Sequence, residues 1–487
     1  MWPVPALRLR GANQAPVNPR GDYVLYWMTA ARRLGWNYGL ARAVEACREF
    51  GRPLLVLEAL RAAYLHASPR LSAFALEGMA VNARALAARG VSALAYVEPV
   101  AGEGKGQLAA LAARAVLVVA DEFPAFFLPR MLAAAARQVP VRLEVVDSGG
   151  LLPLAAAPRA FRAAVHFRRW AQGELPRHLA SPPPADPLAA YQGGPAEIPG
   201  EVLRRWPPTP AERLGRAALA GLPLPTSPAP VAGVRGGEDA ATARLSAFLA
   251  TGLDAYHQER NQPRPGATSG LSPYLHWGHL SPWAVLDALL SREGRRLDTM
   301  SFPRPTGQRE GWWGLSPGAE AFLEQLVTWR ELGFNFCRFH PGDYAAYDSL
   351  PAWARETLAA HAADRREHVY APAELEAAAT HDPVWNAAQG QLLREGMIYG
   401  YLRMLWGKKI LEWSASPATA WEVLVQLNDK YALDGRDPNS YNGLAWVLGR
   451  YDRPFAERPV VGKLRWLSSA RTRQKLDLDP YLAAFGG

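Results

Sequence analysis

Two spacings of apolar residues divide the chain. In the first 150 residues, short continuous apolar runs alternate with longer stretches of helical periodicity. Tyr23–Met28, Leu54–Leu60, Val91–Val97, Ala115–Asp121 and Arg142–Asp147 have strand length and are apolar almost throughout. Between them Tyr38–Phe50, Leu71–Arg89, Gln107–Arg114 and Phe126–Gln138 place apolar residues three or four apart. Strands that are apolar on both faces, separated by amphipathic helices, predict a Rossmann-like parallel sheet covered on both sides. No Gly-x-Gly-x-x-Gly follows the first strand, so a dinucleotide fingerprint is absent.

From Ala240 onward only the helical period remains. Ala240–Leu253, Pro282–Leu290, Ala319–Phe336, Leu350–Ala363, Pro372–Thr380, Trp385–Arg394, Tyr401–Trp413 and Ala418–Asp429 all fit it. Residues 176–230 hold 14 of the 42 prolines, which excludes long helices and central strands. The expectation is an α/β domain over 20–175, a Pro-rich connector over 176–236 packed on one or both domains, and an all-helical domain over 237–487.

Composition narrows the class. Of 487 residues, 49% are hydrophobic and 20% charged, which is a globular balance. The 2 cysteines, Cys47 and Cys337, cannot make a disulfide framework or a cysteine-rich metal site, and no metal site is expected. No run of about 18 apolar residues would span a membrane, and the first 20 residues lack the apolar stretch of a signal peptide. A cytoplasmic monomer is expected. The charge of +9 suits a polyanionic partner, and eight basic residues against two acidic ones between Arg450 and Lys475 concentrate it.

Candidate chemistry lies in the later half. Thr268, Ser269, Leu271 and Ser272 precede an aromatic stretch; small hydroxyls and free N–H groups at a helix start hold a pyrophosphate or simply cap the helix. Tyr256 and Arg260 upstream would add a hydroxyl and a charge. Arg403, set among apolar residues, needs a partner if buried, and Asp434 in the loop LDGRDPNSYNG is the candidate. Trp406 and Trp413 are two helical turns apart, about 10 Å, on one face. With Trp385 they form either an electron relay or a core stripe of aromatics.

Three blocks decide between these alternatives: TSGLSPYLHWGHLS, LVTWRELGFNFC, and the run from REHVY through HDPVWNAAQ, YLRMLWGKKILEW, LNDKYALDGRDPNSY and ERPVVGKLRW. Together they resemble the photolyase/cryptochrome superfamily, and specifically class II cyclobutane pyrimidine dimer photolyases. The resemblance implies FAD held non-covalently, with its phosphates at Thr268, Ser269, Leu271 and Ser272 and with Tyr256 nearby. It implies an Arg403–Asp434 pair beside the flavin, and Asn428, with Asn439 as rival, facing flavin N5. Trp406, Trp385 and Trp413 match the proximal, middle and distal members of a photoreduction chain. Glu331, Met404, Trp446 and Arg465 match residues that receive a flipped-out dimer and fill the gap left in the DNA. Light-driven electron transfer from reduced flavin would then split pyrimidine dimers in damaged DNA. An antenna chromophore, deazaflavin or folate, is open. A cryptochrome-like photoreceptor without repair is the alternative. Two departures stand out: Phe455 where a Trp is common, in a loop one residue shorter, and Leu405 where a Tyr is common.

Overall fold

A computed structural model of the chain describes residues 4–61 and 63–486. They divide into two compact units: 1–158, 174–246 and 271–301 form one, and 159–173, 247–270 and 302–487 the other.

The first unit is built on a six-stranded sheet. Its strands are β1 (Leu9–Gly11), β2 (Tyr23–Met28), β3 (Leu54–Leu60), β4 (Ser92–Val97), β5 (Ala115–Asp121) and β6 (Leu143–Val146), in the order β1-β6-β5-β2-β3-β4. All neighbours are parallel except β1, which runs antiparallel to β6 with Leu9 opposite Val146. Every residue of β2, β5 and β6 is buried, as continuous apolar strands require. β1 was not predicted: three residues reading Leu-Arg-Gly carry no pattern, and the backbone of β6 recruits them.

The order of strands reverses between β2 and β5, the place where open α/β sheets hold ligands. Here the carboxylate of Asp121 at the end of β5 fills it. It accepts the N–H groups of Thr29, Ala30 and Ala31 at 2.8–3.0 Å and the hydroxyl of Tyr26 at 2.7 Å. The turn after β2 thus spends its amides on a residue of the chain.

The Pro-rich connector belongs to this unit. It breaks into short turns and one short helix, Gly200–Arg205. Ala196, Val202 and Trp206 join the core formed by β-strand residues such as Leu55, Leu94 and Tyr96. The indole N–H of Trp206 donates to the carbonyl of Glu103 at 2.7 Å.

The stretch 271–301, expected with the helical domain, also groups with the sheet. Two of its aromatic-rich residues are core residues there. The ring of Trp283 meets Tyr38 edge-on at 6.2 Å, and His279 stacks on Phe74 at 5.1 Å. His279 accepts the N–H of Gly237 at 3.0 Å, and burial pushes its pKa down to about 3, so it is a neutral packing residue.

The second unit is helical among its described residues. Serine or aspartate followed by proline starts four of its helices: Pro317–Leu323, Pro383–Glu395, Pro417–Tyr431 and Pro438–Val447, each with the preceding side chain accepting a first-turn N–H. The helix expected over Ala319–Phe336 is interrupted: Glu324–Trp329 is a π-helical stretch, and α-helix resumes over Arg330–Phe339. Residues 438–443, read from sequence as part of a loop, instead begin the helix Pro438–Val447, which Asp437 caps.

Replacing Trp206 with alanine removes a buried indole and its hydrogen bond. The expected loss is about 3–5 kcal/mol of stability, measured by urea denaturation.

Candidate functional site

The helix Gly400–Trp413 organises the site, and its neighbours are packed tightly against it. A Cβ on Gly407 would lie 2.9 Å from both methyl groups of Val447, so only glycine allows this approach. Trp406 on this helix is 1% exposed, Trp413 3%, and Trp385 on Pro383–Glu395 is 0% exposed. Trp385 lies between the other two. Its N–H donates to the carbonyl of Trp406 at 2.9 Å, and its ring meets that of Trp413 at 5.8 Å and 69°. The N–H of Trp406 donates to Oε1 of Gln389 at 2.9 Å, which fixes that indole too.

One turn before Trp406, Arg403 reaches Oδ1 of Asp434 at 3.4 Å. Both side chains are partly exposed, so neither charge is fully desolvated. Buried Asp429 shapes the loop that presents Asp434. Its carboxylate accepts from the Tyr441 hydroxyl at 2.9 Å, the Arg436 N–H at 2.9 Å and Nδ2 of Asn428 at 3.1 Å. Burial raises the Asp429 pKa despite Arg436 beside it. The two candidate asparagines now differ. Asn428 is buried with its amide committed to Asp429, while Asn439 is exposed at the start of its helix.

A flat aromatic shelf lies on the helix Pro438–Val447. Trp446 stacks on Trp329 with ring centres 4.4 Å apart and planes 14° apart. Glycine makes this possible, since a Cβ on Gly333 would lie 2.7 Å from the Cα of Asn439. The helix carrying Gly333 also carries buried Glu331. Asn439, Gly443 and Trp446 share one helical face. A Cβ on Gly443 would meet no heavy atom within 4 Å, so open space adjoins the shelf.

Asp452 ties the shelf to the basic C-terminal stretch. Its Oδ1 accepts the Trp446 N–H at 3.1 Å and Nη2 of Arg465 at 3.3 Å, and the Arg465 guanidinium lies 5.0 Å over the ring of Phe455. Phe455 itself is 36% exposed. Behind them Lys408 is fully buried, donating to the carbonyl of Val447. Burial drives its pKa down to about 7, against the attraction of Asp452. Trp329, Asp452 and Lys408 had no distinguishing signal in sequence, apart from Trp329 preceding Glu331 by two positions.

Other predicted residues fall as follows. Met404 is half-buried beside Arg403. Tyr256 is buried, with Phe248 and Phe322 edge-on at 5.5 Å each, and burial pushes its pKa up to about 12. The helix Ser272–His276 has Leu271 at its cap position and no side-chain cap bond, so hydroxyl capping is not what Ser272 provides there. Thr268 and Ser269 group with the helical unit and Leu271 and Ser272 with the sheet unit. Of the eight basic residues between 450 and 475, Arg450 is not a surface charge. It is buried 4.1 Å over Phe336 and donates to the carbonyl of Ser349. The remaining seven are exposed or partly exposed.

No family model matches the chain. Relatives do: the deoxyribodipyrimidine photo-lyase of Methanothermobacter thermautotrophicus is 32% identical over 483 residues, 99% of this chain and 98% of that one. The chain belongs to the deoxyribodipyrimidine photo-lyase family. The Oryza sativa photo-lyase is 34% identical over 479 residues, 95% of this chain and 87% of its own. Two solved structures share the fold: a class III photolyase from Agrobacterium tumefaciens (TM-score 0.65, 17% identity, covering 96% of this chain and 86% of that one) and a Synechocystis cryptochrome (TM-score 0.69, 16% identity, 95% and 88%). Among the described residues no helix is long and apolar enough to cross a membrane.

Lys408 gives this photo-lyase family member a specific pH dependence. A depressed lysine destabilises the fold most below about 7, and the effect is relieved as pH climbs towards the ordinary value of 10.5. Between these limits stability should rise by up to about 1.4 kcal/mol per pH unit. Lys408→Met should abolish that rise, measured by urea denaturation at about pH 7.5 and about pH 9.

Proposed function

We propose that the protein is a class II type photolyase that repairs cyclobutane pyrimidine dimers in DNA under light. Family membership supports DNA photorepair. The observation that carries the finer reading is the Trp329–Trp446 shelf with Asp452 and Arg465 at its edge. A stacked aromatic surface beside open space suits a base pair taken out of the helix, and Arg465 over Phe455 suits the gap left behind. A dimer is already poorly stacked, so extruding it costs less than extruding an intact pair.

The residues present fit FAD. The half-buried Arg403–Asp434 pair offers a cation and an anion to the polar edge of a flavin ring. Thr268 and Ser269 would hold its phosphates, Tyr256 would stand near them, and Asn428 would face the ring from its buried position. When bound, FAD absorbs the light and supplies the electron that splits the dimer. Glu331 would donate to or accept from the dimer's carbonyl edge, and Met404 and Trp446 would exclude water from it. Trp406, Trp385 and Trp413 would relay electrons inward. Besides Arg465, the six other outward basic residues between 453 and 475 would hold DNA phosphates and make affinity fall with salt. The protein would act as a monomer on damaged DNA.

The second reading is a signalling flavoprotein of cryptochrome type. Phe455 favours it, since phenylalanine offers less stacking area than tryptophan and no N–H. Repair by the reduced, FAD-loaded protein separates the two. Blue or near-UV light should convert a cyclobutane thymine dimer in an oligonucleotide back to thymines, with no reaction in the dark and none on a (6-4) photoproduct. Absence of light-dependent repair rejects the photolyase reading. Trp406→Phe should slow photoreduction of oxidised FAD while chemically pre-reduced enzyme still repairs; equal loss of both would assign Trp406 a structural role.

A further inference from the structure

The indole relay stops short of water, because its outermost member, Trp413, is itself buried. Tyr370 of the motif REHVY and His381 of the motif HDPVW meet at that point. The ring of Tyr370 lies 5.6 Å from Trp413 and edge-on at 76°. The backbone N–H of Tyr370 donates to the carbonyl of Trp413 at 3.0 Å, so the two residues are held together through the main chain as well. His381 lies 5.1 Å from the same indole. Its Nδ1 is 2.6 Å from the Tyr370 hydroxyl.

The backbone N–H of His381 also donates to the Tyr370 oxygen at 3.0 Å. In the tautomer protonated at Nε2, Nδ1 accepts the phenol's own proton, and both contacts are satisfied together. His368 stacks on His381 at 3.8 Å and holds the imidazole plane. Tyr370 is half-buried and His381 exposed, so the series runs outward from the buried indoles to a group that exchanges protons with solvent.

We propose that Tyr370 and His381 form a proton-coupled electron donor that ends the relay. The inference rests on the photoreduction role of Trp406, Trp385 and Trp413. Once the three indoles had passed one electron inward, the oxidising equivalent would reside on Trp413 as an indole cation radical. One electron then passes from the Tyr370 phenol to Trp413, and the O–H bond breaks as its proton passes to Nδ1 of His381. The products are neutral Trp413, a neutral tyrosyl radical and an imidazolium, with one electron and one proton transferred and the total charge unchanged. His381 releases the proton to solvent. A phenol becomes a practical donor only when its proton leaves with the electron, and a hydrogen-bonded base supplies that condition.

The charges nearby favour this exit. The Lys409 ammonium lies 5.4 Å from the Trp413 ring and 5.8 Å from that of Trp466. A cation there disfavours positive charge on Trp413 and stands in the alternative route to Trp466, although Glu412 at 2.8 Å offsets part of it. Tyr370 carries no such penalty, because its proton leaves with the electron and the phenoxyl radical is neutral.

Time-resolved absorption and electron paramagnetic resonance on the FAD-loaded protein test the proposal, using wild type, Tyr370→Phe and His381→Asn. Wild type should yield a tyrosyl radical after the tryptophan radical. In both variants the tryptophan radical should persist at least about tenfold longer, the size of effect lost with a positioned base. Its wild-type decay should slow in deuterated water, and Tyr370→Phe should remove that dependence. Tryptophan radicals that form in all three proteins and decay at one rate, without a tyrosyl signal, would overturn the proposal and leave the relay standing. Absence of any tryptophan radical in wild type would overturn both.

Discussion

Two helices in the second unit meet with no side chain between them, and the candidate site depends on that contact. Gly333 brings Arg330–Phe339 against the start of Pro438–Val447, where any larger residue would collide with the backbone of Asn439. The approach lays Trp329 flat on Trp446. Nδ2 of Asn442 reaches the carbonyl of Trp329 at 3.5 Å, at the junction where π-helix gives way to α-helix. The π-helical turn inserts an extra residue, which resets the direction of every side chain beyond it, including Glu331. Shelf and carboxyl are therefore set by one local irregularity and one missing side chain.

Charge at this contact is handled unequally. Asp452 has two donors on a single oxygen and lies close to Lys408, whose amino group, among the described residues, meets no carboxylate in hydrogen-bond contact and has only a backbone carbonyl as partner. Keeping a lysine there costs stability. The arrangement holds Arg465 and Trp446 from beneath, so the shelf is pre-organised.

Much of this was legible from spacing alone. Continuous apolar runs located five strands to within a residue or so, because buried parallel strands tolerate few polar positions. The Arg403–Asp434 pair was legible only through the resemblance, since spacing left a solvent-facing arginine equally open and both side chains are partly exposed. The two-turn spacing of Trp406 and Trp413 placed them on one face, and the structure adds that Trp385 bridges them. What escaped depended on contacts between segments far apart in sequence. The three residues of β1 are a strand only because β6 offers an edge. The helix 438–447 starts on an aspartate cap that reads equally well as a turn. Trp329, Asp452, Lys408 and the Tyr370–His381 contact involve ordinary residues whose meaning comes from their partners.

The most direct test of the shelf as a lesion pocket is binding in the dark. The quantity is the affinity for a duplex containing one cyclobutane thymine dimer relative to the same duplex undamaged, at one fixed salt concentration. The account predicts a preference of about tenfold or more, equivalent to about 1.4 kcal/mol, that Trp446→Ala removes while affinity for undamaged DNA is retained. Equal affinity of the wild-type protein for the two duplexes would contradict it.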